Sequence, residues 1–509
     1  MDRGVCEISI KEGVIFVKKV AAFSAVVIML FGLFGCSEPG VSSVVSNQSL
    51  TNTAQSGAEI SEPENGVICN YPKLVDGARG HTLYYLETGG TLYGWGKNYN
   101  YLLGLPIPEQ YYSYKPTVLA TDVADVVNNM FTTYMLKKDG TLWVLGYYPH
   151  AEDGSDYAKK WIEIAQDIKQ ICGYGSGKNI CGVLKKDGSL YILGSTYDGN
   201  VTATKPNEEI DQFVLRPADT GVEKLGGVHH DFYGNEEDSA KVNIGVRITV
   251  GYFKDNAYWQ VVENQDGSFT LQKLVDGNIA QVPIGGRFDY YLDLDGNLRS
   301  VTDNRIISAN VTTFAALSGN EPRCLFVTSD HKLWEIGETT QPFDGNFTIY
   351  SSPCLILEDV EKVYGASDTV FMDFYILKTD ETLWCWGLNN SLLGNGTANS
   401  EIARGNENIS EETPVKDRCD EITQVLNISN IRDFCYSTQV KVAVTQSGER
   451  YIWGLNPYYR AFTAGTSEKD SPHAEYYKDQ SAMPQPAQVN REDSLLVATT
   501  WTEAFAKYE

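Results

Sequence analysis

Six segments of this chain share one cadence, in which a turn residue is followed by a strand that ends in Gly six positions later. They are Gly90-Thr-Leu-Tyr-Gly-Trp-Gly96, Gly140-Thr-Leu-Trp-Val-Leu-Gly146, Gly188-Ser-Leu-Tyr-Ile-Leu-Gly194, His331-Lys-Leu-Trp-Glu-Ile-Gly337, Glu381-Thr-Leu-Trp-Cys-Trp-Gly387 and Gly448-Glu-Arg-Tyr-Ile-Trp-Gly454. A motif recurring at this spacing is the mark of an array of small, similar units. The interval is 50 residues from 90 to 140 and again from 331 to 381. Two weaker copies, Asp266-Gly267-Ser-Phe-Thr and Asp295-Gly296-Asn-Leu-Arg, lack the terminal Gly. The copy at Gly267 is assigned to a lengthened, divergent unit, which gives an expected count of seven; six and eight are the alternatives.

Each copy reads as a β-hairpin. An apolar run such as Tyr134-Met-Leu136 enters a turn of the Asp-Gly, Ser-Gly or Gly-Gly type, whose positive φ suits the twist of paired strands. Along the exit strand Leu142 and Val144 point one way, Trp143 and Leu145 the other, so both faces are apolar. Sheets covered on both faces are those of a propeller, where each blade is sandwiched between its neighbours. With 42% hydrophobic and 12% aromatic residues in 509, the chain has core enough for one large ring. Pro116-Thr-Val118 and Pro414-Val415 mark expected outer strands, where Pro is tolerated.

Trp95-Gly-Lys-Asn98 with Leu103-Gly104, and Trp386-Gly-Leu-Asn389 with Leu393-Gly-Asn-Gly396, resemble the repeat of the regulator of chromosome condensation (RCC1) family. The resemblance spans about 67–460, is strong in the first three and last three hairpins, and is poor over about 200–310. It implies an all-β fold, a β-propeller of four-stranded blades occupying 67–509. A fold brings no function with it. Blade one begins abruptly at about Tyr71, so Pro486-Ala-Gln-Val489 and Leu495-Leu-Val-Ala-Thr499 are expected to supply its outer strands and close the ring.

Lys18-Lys19 precedes an apolar stretch, Val20 to Gly35, that ends in Leu33-Phe-Gly-Cys36. This is the layout of a secretory signal, residues 1–35, and the Cys after Gly35 resembles the lipidated first residue of a bacterial lipoprotein. The alternative is an uncleaved membrane helix, for which the run is short. Asp2, Glu7 and Glu12 are foreign to a signal's first segment, and a true start near Val14 or Val17 accounts for them. Residues 36–66 are rich in Ser, Asn, Thr and Gln and read as a flexible tether with a reach of roughly 30 Å. The expected location is the bacterial cell envelope, outside the cytoplasm, with the membrane reached through a lipid at Cys36.

The formal net charge is −25; losing residues 1–35, with four basic and three acidic groups, leaves −26. Such a surface repels phosphate backbones, and no basic run offers a nucleic-acid footprint. The family's action on a nuclear GTPase has no counterpart outside a bacterial membrane. Eight cysteines lie beyond Cys36, and Cys172 with Cys181, or Cys419 with Cys435, are near enough in sequence to be bridged; buried free thiols are the alternative.

Several catalytic strings fail on inspection, and no cofactor motif remains. Gly173-Tyr-Gly-Ser-Gly177-Lys178 lacks the first Gly of a phosphate loop, where Cys172 stands, and has Asn179 in place of Ser or Thr. Asp293-Leu-Asp295-Gly296-Asn297 has Tyr291 at the first calcium-ligand position. His229-His230-Asp231 places adjacent side chains on opposite faces of a strand, and an exposed loop is its expected setting. What remains is Tyr, 31 residues, many just past the closing Gly: Tyr99, Tyr101, Tyr147, Tyr148, Tyr197, Tyr458 and Tyr459. Equivalent loops emerge on one rim, and rigid amphipathic Tyr suits recognition; packing of these rings against neighbouring blades is the alternative. The expected function is a binding module for a protein or peptide, with a glycan as second choice. The competing class is an envelope hydrolase with a carboxylate pair in the central channel.

Overall fold

A computed structural model of the chain describes residues 72–77, 82–106, 112–129, 131–173, 180–194, 211, 213–233, 245–264, 266–283, 288–317, 323–338, 349–365, 373–389, 392–403, 409–410, 412–437, 439–455 and 494–506. They form eight four-stranded antiparallel sheets, each made from four consecutive strands: 73–120, 123–165, 168–219, 224–276, 279–308, 311–357, 360–424 and 431–500. The fold is an all-β propeller of four-stranded blades, with eight of them and not seven.

The extra blade lies where the repeat is faintest. In blade four the central hairpin turns at Asp255-Asn256, whose φ values of 52° and 53° are those of a two-residue primed turn. Asp266-Gly267 is therefore not its central turn but the link from the third strand, Ala257–Glu263, to the fourth, Phe269–Asp276. Asp295-Gly296 turns the hairpin of a separate, short blade five, three of whose strands have three residues each. A blade without a closing Gly followed by a dwarf blade imitates one long blade in sequence.

The first strands of neighbouring blades approach one another, as blades one and two do through Lys73–Gly77 and Val123–Asn129. Hydrophobic clusters fill the gaps between sheets. Leu142 and Val144 enter the cluster shared by blades two and three, while Trp143 packs against the one shared by blades one and two. Eight such clusters among the described residues each join two neighbouring blades. One of them joins Leu74, Leu83, Tyr85 and Trp95 of blade one to Cys435, Val440, Val442 and Ile452 of blade eight.

The backbone also locks blade to blade at the hairpin-turn end. The N–H of the residue opening blades two, three, seven and eight donates to the turn of the blade before: Val123 to Gly90 O at 2.9 Å, Ile168 to Gly140 O at 2.9 Å, Val360 to His331 O at 2.8 Å and Ile431 to Glu381 O at 3.0 Å. The closing Gly has a steric cause. Gly146 has φ +94°, and a Cβ there would lie 2.4 Å from Phe131 O; at Gly454, φ +119°, it would lie 2.2 Å from Gln439 O.

One expectation is corrected, and one alternative that the sequence left open is decided. Leu495–Thr500 pairs with Arg450–Gly454 and is the outer strand of blade eight; blade one has four strands of its own. Pro486-Ala-Gln-Val489 lies outside the described residues. The pair Cys172 and Cys181 is not bridged either, because register sets Cys172 opposite Gly182 and turns the two thiols to opposite faces. Cys419 and Cys435 are likewise free.

Candidate functional site

The Asn of the Trp-Gly-x-Asn motif builds the loop that follows. Asn98 Oδ1 accepts from Leu103 N–H at 2.8 Å while its Nδ2 donates to Leu105 O at 2.8 Å, and Asn389 Oδ1 accepts from Leu393 N–H at 2.9 Å. Both leucines are buried, so a side-chain amide and an apolar anchor fix the same short loop. In blade one the loop contains the 3-10 turn Tyr99–Tyr101, with φ 64° at Tyr101. Tyr84 OH donates to Leu102 O at 2.6 Å and shares a 2.8 Å hydrogen bond with Thr133 of blade two, which ties the loop down.

Four of the expected site tyrosines are described, and three of them meet. Tyr147 ends the strand Leu142–Tyr147 and faces Tyr157 across the sheet. Ring centroids then run from Tyr101 to Tyr157 at 6.1 Å, Tyr157 to Tyr147 at 5.7 Å, Tyr147 to Phe213 at 5.4 Å, Phe213 to Tyr148 at 6.1 Å and Tyr148 to His150 at 5.5 Å. Beyond them His150 Nε2 lies 2.6 Å from Asp211 Oδ2. Blades one, two and three each contribute to this run, and the edge-to-face geometry of most contacts is what aromatic quadrupoles favour. All five Tyr and Phe residues are half-buried.

Tyr99 stands apart, on Phe131 at 5.5 Å and against the cluster between blades one and two. Tyr148 serves two roles, since it also packs against the cluster between blades two and three. Burial, with Asp156 second, pushes the Tyr147 phenol up; burial, with Asp211 second, does the same to Tyr148. Tyr197, Tyr458, Tyr459 and Cys36 lie outside the described residues. Tyr157, Phe213 and His150 were not singled out from the sequence. Tyr157 was legible through register, as the residue facing Tyr147, whereas nothing in the repeat marks Phe213.

The strings set aside as catalytic have structural employment. Residues 174–179 connect two antiparallel strands, Ile168–Gly173 and Ile180–Lys185. Asp293 accepts from the N–H groups of Asp295 and Asn297 and from Arg299 Nε at 2.6 Å, which closes its own hairpin. His229 is not in an exposed loop: it sits in Lys224–Tyr233, 2% exposed, with Nε2 2.5 Å from Tyr258 OH. Among the described residues no group of three His, Cys, Asp or Glu side chains could hold a metal ion.

A polar groove of about 690 Å³ lies between blades seven and eight at the hairpin-turn end, with Glu381, Glu449, Asn427 and Tyr451 in its lining. Both carboxylates there are engaged, Glu381 by Gln446 Nε2 at 3.2 Å and Glu449 by Tyr451 OH at 3.0 Å.

No protein-family model matches the chain, and no curated protein matches it. Among solved structures, Prp20p from Saccharomyces cerevisiae, described with its binding properties to Gsp1p and histones, is 14% identical; the match covers 84% of this chain and 89% of that one, with a TM-score of 0.43. Yeast RCC1 (Prp20) bound by Kap60 is 14% identical over 80% of this chain and 86% of that one, TM-score 0.41. Human WBSCR16 is 13% identical over 78% of each chain, TM-score 0.29. The chain resembles RCC1-repeat propellers. Its own repeat carries that resemblance, in the hairpin, the closing Gly and the Asn-built loop.

Proposed function

We propose that this chain is a binding module of the cell envelope, lipid-anchored at Cys36, that takes up a protein or peptide ligand on the rim formed by Tyr101, Tyr147 and Tyr148 with Tyr157 and Phe213. The continuous run of half-buried rings drawn from three blades carries this reading. Aromatic side chains with polar tips supply contact area at low entropic cost. Exposed carboxylates border the run, Asp156 beside Tyr147 and Asp211 beside Tyr148, and the whole chain is acidic. That charge favours a basic peptide over a glycan or a nucleic acid. In the same reading the cluster between blades eight and one closes the ring, which fixes the three rim blades relative to one another.

The hydrolase reading draws less support. A general acid working near neutral pH needs a carboxyl group held above its usual range. Every carboxyl shift resolved among the described residues is downward, as at Asp139, Asp219, Asp293 and Asp417, where hydrogen bonds or neighbouring cations hold the charged form. The test is binding of the purified full chain to arrays of basic, neutral and acidic peptides and of glycans. Binding to basic peptides that disappears in the Tyr101→Ser, Tyr147→Ser double variant is expected; equal binding by that variant would place the ligand elsewhere.

A further inference from the structure

Where blades seven, eight and one meet, three ionisable side chains are buried together. Lys441 lies in Val440–Thr445 and Asp373 opens Asp373–Lys378; their side chains are 0% and 3% exposed, and Lys441 Nζ is 3.2 Å from Asp373 Oδ2. Asp76, buried in Lys73–Gly77 of blade one, is close enough to act on the Lys441 charge. The setting is apolar. Lys441 faces Trp453 across its sheet, and Tyr375, on the same face of its strand as Asp373, lies 6.2 Å from Trp453, centroid to centroid; both rings are buried.

A lysine and an aspartate taken out of water have to recover a large desolvation cost from each other. Burial pushes the Lys441 ammonium down, and Asp373 pulls it back up by a smaller amount. Passing one proton from the ammonium to the carboxylate removes both charges at once. What it leaves is a neutral amine against a neutral carboxylic acid, the two reactants of amide formation. Held in contact by two packed sheets, they react as one molecule, with the orientation entropy already lost on folding.

We propose that Lys441 and Asp373 are joined by an intramolecular isopeptide bond that forms after folding. The amine lone pair of Lys441 Nζ adds to Asp373 Cγ, a carbon–oxygen bond at Cγ breaks, and the oxygen leaves as water. One proton of that water comes from the carboxylic acid and the other from the amine. No electrons are exchanged and no co-reactant is consumed. The link ties blade seven to blade eight beside the place where the last blade meets the first. Such a staple has a use here, because the seven described cysteines are all free and each blade is built from its own consecutive strands.

The test is tandem mass spectrometry of the protease-digested full chain. The expected product is a branched peptide in which the segment carrying Lys441 is joined to the segment carrying Asp373, lighter than their sum by one water. Recovery of both segments only as unlinked linear peptides overturns the proposal and leaves an ordinary buried ion pair. Because Lys441→Met and Asp373→Ala each disturb the packing of a buried site, the result from the unmodified chain stands by itself.

Discussion

Trp501 lies 5.7 Å from Trp95, centroid to centroid, at an interplanar angle of 73°. The two residues belong to the last helix, Trp501–Phe505, and to the first blade. Trp501 also touches Tyr85 at 5.5 Å and Tyr93 at 6.1 Å, and the Arg450 guanidinium of blade eight sits over Tyr93 and Trp501 while pairing with Glu87. The meeting of blades eight and one is thus made by side chains stacking on side chains, with no strand of the chain's end added to blade one.

Replacing Trp501 by Ala removes the ring on which this seam is centred. Large aromatic to Ala changes at packed sites cost about 3 kcal/mol. A thermal melt of the variant should show a midpoint lower by several degrees, and removal of residues 494–506, which also takes away the outer strand of blade eight, should cost more. An unchanged midpoint in Trp501→Ala would show that the seam contributes little to stability.

Gly146 and Gly454 test the closing position of the repeat. Ala at either site meets a backbone oxygen and must also hold a positive φ, so neither side-chain rotation nor local repacking relieves it. Each substitution should destabilise by roughly 2 kcal/mol or more. Gly154, also at positive φ but with nothing near its missing Cβ, is the control and should lose clearly less. Equal losses at all three positions in chemical denaturation would mean that backbone strain, and not the close approach, explains the repeated Gly.

Acid should weaken the fold through His229. Burial lowers its pKa from 6.5 to about 4. The unfolded chain therefore takes up a proton at this residue before the folded chain does, and stability falls as pH is lowered wherever the folded state binds fewer protons. The contribution is complete above about pH 6.5 and is lost as pH drops toward 4, about 3 kcal/mol in all. Urea titrations at stepped pH should show that slope, and His229→Gln, which retains a hydrogen-bonding partner for Tyr258, should flatten it. A slope unchanged by the substitution assigns the acid sensitivity to other groups.

The anchor prediction concerns residues 1–66. Cys36→Ser removes the thiol that would carry the lipid, so the variant should leave the membrane fraction on cell fractionation. Retention at the unmodified level, with unchanged processing, would indicate that the apolar segment 20–35 holds the chain by itself.

Much of the fold was legible because the repeat writes its constraints into single residues. Gly at the closing position is enforced by a neighbouring carbonyl, and Asn98 and Asn389 by the loop N–H groups they accept from. Blades four and five were miscounted because Asp255-Asn256 makes a tight turn without Gly, while Asp266-Gly267 looks like the repeat's turn but joins the next pair of strands. The C-terminal strand was given to the wrong blade because strand pattern alone does not identify a pairing partner. On the rim, Tyr101, Tyr147 and Tyr148 were found by their place after the closing Gly. Phe213 arrives from a neighbouring blade by a route that only the three-dimensional arrangement reveals, and Tyr148 combines the expected rim position with packing against the core, the alternative the sequence left open.

The central claim is that the aromatic run on blades one to three is a ligand surface. It is tested most directly by titrating the full chain with the strongest-binding basic peptide from the array and repeating the titration with Tyr147→Ser, which removes the ring between Tyr157 and Phe213. A central aromatic contributes about 2 kcal/mol, so Kd should rise roughly thirtyfold while the melting curve keeps its cooperative shape. The same complex should weaken as salt is raised, because exposed carboxylates steer it. An unchanged Kd in Tyr147→Ser, in a protein shown to be folded, would contradict the claim and direct attention to the opposite end of the propeller.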